Sequence, residues 1–141
     1  QGLPESMHDN PEYRDVVGEV KAFLTVRARA IDAGGNAPQQ IQFDPGFGIG
    51  KTTGHNLQLL RHLDEMVQSG YPVLVGLSRK SLIGKVLGLE VDKRLYPSVA
   101  LAVLAVWQGA ALVRCHDVRE TREAIEMCHA VRDVGAAPAG L

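Results

Sequence analysis

Apolar and polar positions alternate along this chain at two different periods. Between Asp15 and Ala33, residues Val16, Val17, Val20, Phe23, Leu24, Val26 and Ile31 recur at roughly helical spacing, and Gly34 and Gly35 end the run. A second helical stripe carries Leu57, Leu59, Leu60, Leu63, Met66 and Val67 and closes at Gly70. Ser81 to Leu87 predicts a short helix and Ser98 to Gln108 a longer one. Asp117 with Glu120 predicts a capping pair for a last helix that reaches about Val131. Three short apolar runs lie between these stripes: Ile41 to Phe43, Val73 to Leu77 behind Pro72, and Ala111 to Cys115. Runs of that length read as buried strands. The opening QGLPESMHDNPEYRDV reads as a loop entering a helix, and the tail at 135–141 as frayed.

The order α-β-α-β-α-α-β-α implies α/β architecture with parallel strands and alternating helices. Right-handed crossovers put the C-terminal end of every strand on one side. An open three-stranded parallel sheet would leave two edges unpaired. A complete small doubly wound domain is one reading, but a segment of a (β/α)8 TIM barrel, a fold of about 250 residues, accounts as well for a first residue, Gln1, that is not Met. The expectation is one partial barrel domain over residues 1–141 with its N-terminal half absent.

Composition narrows the partners. The 141 residues are 45% hydrophobic and 22% charged, with a net charge of -1, as in a globular protein with a real core. No basic block or aromatic-basic stripe appears, which argues against nucleic acid. The longest apolar run, Val99 to Trp107, is too short to span a bilayer, so no membrane partner is expected. The start does not resemble a signal peptide. Cys115 and Cys128 form neither a disulfide framework nor a metal-ligand spacing. A cytoplasmic address is the expectation.

The polar residues that follow the three strands carry the chemistry. Asp44 comes after the first, Ser78, Arg79, Lys80 and Ser81 after the second, and Arg114 and His116 bracket the end of the third. All would converge on the rim where barrel enzymes place their sites. The stretch DPGFGIGKTTGHN invites a phosphate-loop reading, but Pro45 stands where the first glycine of that motif belongs. Its glycines suit a turn with special backbone angles, or close approach of a flat ligand beside Asp44. Asp44 itself leaves two readings open: a turn cap, or a paired acceptor for a planar ring rich in N–H groups. Lys80 precedes the first turn of a helix, where an anion is favoured. Arg114 and His116 share one face of their strand with Cys115 opposite, and together suit a pyrophosphate. His8, His55, His62 and His129 show no metal-ligand spacing. Trp107 and its helix read as packing surface, or as a face that meets another subunit.

In this order and spacing, FDPGFGIGK, VLVGLSRKSLIG, the RL…SVALAV segment and VRCHDVRET closely resemble the second half of dihydropteroate synthases, from Gln1 to about Val131. The resemblance implies a (β/α)8 barrel that condenses 6-hydroxymethyl-7,8-dihydropterin pyrophosphate with 4-aminobenzoate, releasing pyrophosphate with the help of Mg2+. It assigns Asp44 to the amino edge of the pterin, Lys80 to the pterin and the border of the aminobenzoate pocket, and Ser81 to the aminobenzoate carboxylate. Arg114 would stack on the pterin and hold pyrophosphate with His116, and Gly48 would line the space between the substrates. A homodimer through the last helices is also implied.

Three positions depart from the pattern. Ile49 stands where Phe is frequent, Tyr96-Pro97 replaces a smaller pair, and Cys115 replaces the commoner Val and is expected to face away from the site. The metal-binding Asn, the mobile loops and further pterin-binding residues of the family lie outside this sequence. The isolated chain is therefore expected to lack synthase activity. The rival expectations are a pterin-binding methyltransferase domain and a non-catalytic interaction fragment.

Overall fold

The computed structural model describes residues 11–35 and 40–134. The opening loop up to residue 10, with His8, and the tail at 135–141 lie outside the described residues.

Helix α1 spans Val16–Ala33. Asp15 caps it, its side chain accepting from Gly18 N at 3.1 Å, and Gly35 with φ +88° lets the chain leave it. Helix α2 spans Thr53–Arg61 and begins earlier than the apolar stripe indicates. The reason is a capping box, in which Thr52 accepts from His55 N while His55 Nδ1 accepts from Thr52 N. The single helix expected through Val67 is broken at His62, after which α3 spans Leu63–Val67. Gln108 Nε2 donates to Leu60 O at 2.7 Å beside this break.

Strand β1 covers Leu74–Val75 and strand β2 covers Leu112–Val113, paired in parallel. Phe43 adds a parallel bridge to Val73 on the other side. The three apolar runs are thus neighbours in sequence order, but the regular pairing is shorter than expected. Its last bond runs from Arg114 N to Val75 O at 2.9 Å, beyond which both chains turn outward into loops.

Helix α4 spans Ser81–Leu87, as the pattern predicts. A 3-10 turn at Val91–Lys93, not foreseen, leads into α5 at Leu95–Trp107. Helix α5 starts before Ser98 because Pro97 falls in its first turn, where a missing N–H costs nothing. Helix α6 spans Val118–Arg132. The expected capping pair does not form: Asp117 is the N-cap residue, but its carboxylate turns to Arg79 instead of the helix.

The register sorts side chains by face. Phe43, Val73, Val75 and Leu77 are buried and join Leu59, Leu63, Met66 and Ile83 in the core. Asp44, Leu112, Arg114 and His116, on the alternating positions, stay exposed. One face of the strands is therefore covered by helices, and the opposite face carries the polar groups.

Candidate active site

Three loops leave the same end of the parallel strands, and each is built differently. The first, Asp44 to Lys51, is a tight turn in which Gly46, Gly48 and Gly50 all have positive φ. Asp44 Oδ1 accepts from Gly46 N at 2.8 Å, so one carboxylate oxygen serves the turn. Lys51 Nζ donates to Gly46 O and Ile49 O, both at 3.1 Å. That lysine belongs to its own loop, unlike a phosphate-loop lysine. Burial pushes its pKa down, and the charge of Asp44 works in the other direction. The turn is pinned from below by Asn56, which is only 3% exposed. Its Oδ1 accepts from Gly48 N at 2.7 Å, and its Nδ2 donates to Thr52 O at 2.7 Å.

The second loop holds Ser78, Arg79 and Lys80. Arg79 has φ +56°, the one non-glycine in the left-handed region among the described residues. Its N–H donates to Ser98 Oγ at 2.9 Å, and its carbonyl accepts from Arg94 Nη1 at 3.1 Å. Its guanidinium forks onto Asp117, with Nη2 to Oδ1 at 2.6 Å and Nε to Oδ2 at 3.2 Å. The fork holds the Asp117 carboxyl below the ordinary range and raises Arg79. With these restraints on the loop, Lys80 takes the N-cap position of α4 with φ -60° and ψ 151°.

The third loop carries Arg114 and His116. The Arg114 side chain lies over Gly76, where an added Cβ would stand 2.9 Å from Nη2. His116 is tied to Ser78: Nδ1 is 2.9 Å from Oγ, and the backbone N–H donates to the same oxygen at 3.2 Å.

A hollow of about 280 Å³ gathers Gly76, Ser78, Lys80, Arg114, Cys115 and His116. Two cations, an imidazole and a hydroxyl line it, a donor set suited to a multivalent anion. Cys115, expected to face away, borders it as well. Gly48 reaches this group from the first loop, because an added Cβ there would stand 3.3 Å from Lys80 Cδ. Asp44 does not line this hollow. It lines a second one of about 480 Å³ with Ile49, Lys51, Tyr13 and the Phe23 side of α1. Ser81 opens α4 beside Lys80 and is exposed.

A sequence profile of the pterin binding enzymes matches residues 1–116. The chain belongs to this family. Against curated relatives, a dihydropteroate synthase of Neisseria meningitidis serogroup C is 50% identical over 133 residues, covering 93% of this chain and 47% of that protein. A dihydropteroate synthase of Yersinia pestis, crystallised with a sulfonamide drug, superposes with a TM-score of 0.92 at 42% identity, covering 95% of this chain and 49% of that one. The enzyme of Thermus thermophilus in complex with 4-aminobenzoate gives a TM-score of 0.86 at 50% identity, covering 92% and 53%. The chain spans about half the length of the curated relatives it matches. In this pterin-binding family the three parallel segments and their helices are part of a (β/α)8 barrel.

Several residues that build the site were not singled out from the sequence as site residues. Asn56, Arg94, Ser98 and Asp117 act on backbone or on a neighbouring side chain, and their partners are distant in the chain. Asn56 carried one usable signal, a polar residue beside the apolar stripe of α2. His55 and His62 have partners close in the chain, in the Thr52 cap and in Glu65 at 3.2 Å.

Proposed function

We propose that this chain forms one wall of the active site of a dihydropteroate synthase, binding pterin pyrophosphate for condensation with 4-aminobenzoate. The observation that carries the reading is the hollow where Lys80, Arg114 and His116 meet at the C-terminal end of parallel strands. Arg114 would fork onto pyrophosphate oxygens, with His116 donating a further hydrogen bond. Charge accumulating on the departing pyrophosphate then meets fixed donors, which lowers the barrier to its loss. Lys80, held against Gly48, would stand between the pyrophosphate end and the glycine turn. Asp44 would accept the amino and N–H edge of the pterin from the neighbouring hollow, so that the ring runs across the turn at Gly48. Ser81 would take the carboxylate of 4-aminobenzoate, with Ile49 as an apolar flank.

The magnesium ion implied by the resemblance finds no group of three carboxylate, imidazole or thiol ligands among the described residues. The hollow is lined by cations, which repel a divalent metal, so these residues do not fit a magnesium site. A homodimer through the last helices is supported by the large apolar side chains that α5 and α6 leave exposed, among them Leu104, Trp107, Met127 and Val131.

Ligand-observed NMR with 6-hydroxymethyl-7,8-dihydropterin pyrophosphate tests the reading. Saturation transfer to the pterin is expected, weakened by Asp44→Asn, Lys80→Ala and Arg114→Ala. No transfer with the parent chain, or equal transfer to methyl-folate alone, would sink it.

A further inference from the structure

We propose that Ser78 is a positioning residue that fixes the tautomer of His116, so that the imidazole always offers Nε2–H to an anion. The proposal rests on the pyrophosphate reading above for its purpose, and on two hydrogen bonds for its chemistry.

The backbone N–H of His116 can only donate, so Ser78 Oγ accepts that bond at 3.2 Å. The same oxygen lies 2.9 Å from Nδ1 of the ring. The hydroxyl has one hydrogen, which Nδ1 at 2.9 Å can accept. A neutral ring that accepts at Nδ1 carries its own proton on Nε2. When the ring gains a second proton, Oγ turns its hydrogen away and accepts from both N–H groups. Nε2 remains a donor in either state. A serine 38 residues away in sequence thus decides which nitrogen of His116 is left for the hollow that both residues line.

The alternative tautomer would aim a lone pair at an anion and repel it. A single oxygen that takes the backbone and the ring together also limits rotation of the imidazole. Lys80 and Arg114 need no such device, because their nitrogens only donate.

The test uses the whole 141-residue chain, labelled with 15N. Long-range 1H–15N correlation at a pH where the ring is neutral reads the tautomer directly, with the His116 signals assigned by their loss in His116→Gln. The expected result is an Nε2–H ring with a hydrogen-bonded, unprotonated Nδ1. Ser78→Ala is expected to raise the Nδ1–H population several-fold and to weaken binding of inorganic pyrophosphate about three- to tenfold. Ser78→Thr, which keeps the hydroxyl, should restore both. An Nδ1–H ring in the parent chain, which needs no variant to detect, overturns the inference. An unchanged tautomer balance in folded Ser78→Ala overturns it too. A tautomer response in a chain that takes no pyrophosphate supports the inference and overturns the functional reading instead.

Discussion

Arg79 and Asp117 clasp two loops together, with Nη2 of one 2.6 Å from Oδ1 of the other and a second bond from Nε at 3.2 Å. The clasp joins the loop that presents Lys80 to the loop that presents His116. It also sits on a backbone under tension, because a left-handed φ at a non-glycine residue costs about 1–2 kcal/mol. Ser98, Arg94 and Asp117 surround Arg79 and offset that cost.

The clasp should give stability a defined acid limb. The Asp117 carboxyl titrates below its ordinary value, so its contribution is complete above the ordinary carboxylate range and is lost as pH falls toward the lowered value. Urea denaturation of the parent chain and Asp117→Asn should differ by a constant amount between about pH 6 and 8. The difference should begin to narrow below about pH 4, where unfolded aspartate takes up its proton. A gap that persists unchanged to pH 3 would show that another interaction sets it.

Asn56 should matter for the glycine turn more than its place on a helix implies. Asn56→Leu leaves the N–H of Gly48 without its acceptor. An unpaired donor costs at most about 1–3 kcal/mol, the figure for full burial, and Gly48 is half-buried. Chemical denaturation should register that loss, and hydrogen exchange at Gly48 should quicken. Unchanged exchange at Gly48 would refute the pinning role.

Gly48→Ala should carry two penalties that can be separated. Its φ of +76° makes a Cβ costly by about 1–2 kcal/mol, and the new atom presses on Lys80 Cδ at 3.3 Å. Gly70 supplies the control, with φ +85° and nothing within 4 Å of an added Cβ. Both alanine variants should lose similar stability. Only Gly48→Ala should weaken capture of pterin pyrophosphate, as measured by titration.

Gly76→Ala should do the opposite. An added Cβ meets Arg114 Nη2 at 2.9 Å and Nε at 3.1 Å, the far end of a flexible side chain that can move aside. The melting temperature should barely change. Affinity for inorganic pyrophosphate should fall about tenfold or more, because a charge-assisted contact is displaced. Equal affinity in parent and variant would place Arg114 outside the anion site.

Much of the architecture was legible because it rests on local rules. Periodicity gave α1 and α4 nearly to the residue, and the parallel direction of the strands followed from their alternation with helices. The errors fall where a distant side chain overrides a local preference. Gln108 donates to Leu60 O beside the break at His62, and Arg79 takes Asp117 from the cap it was expected to make.

The sequence by itself determined which groups stand at the ends of the strands, because a period of two and a fixed crossover hand leave no freedom in that. It determined the family as well, through motifs spread over the chain. Tertiary structure alone decided how those groups are held and divided. Lys80, Arg114 and His116 share one hollow, while Asp44 faces the next, across a turn whose glycines set the distance. The physical reason is range: hydrogen bonds such as Ser78 to His116 join residues that no local pattern relates, and only the folded chain brings them within 3 Å.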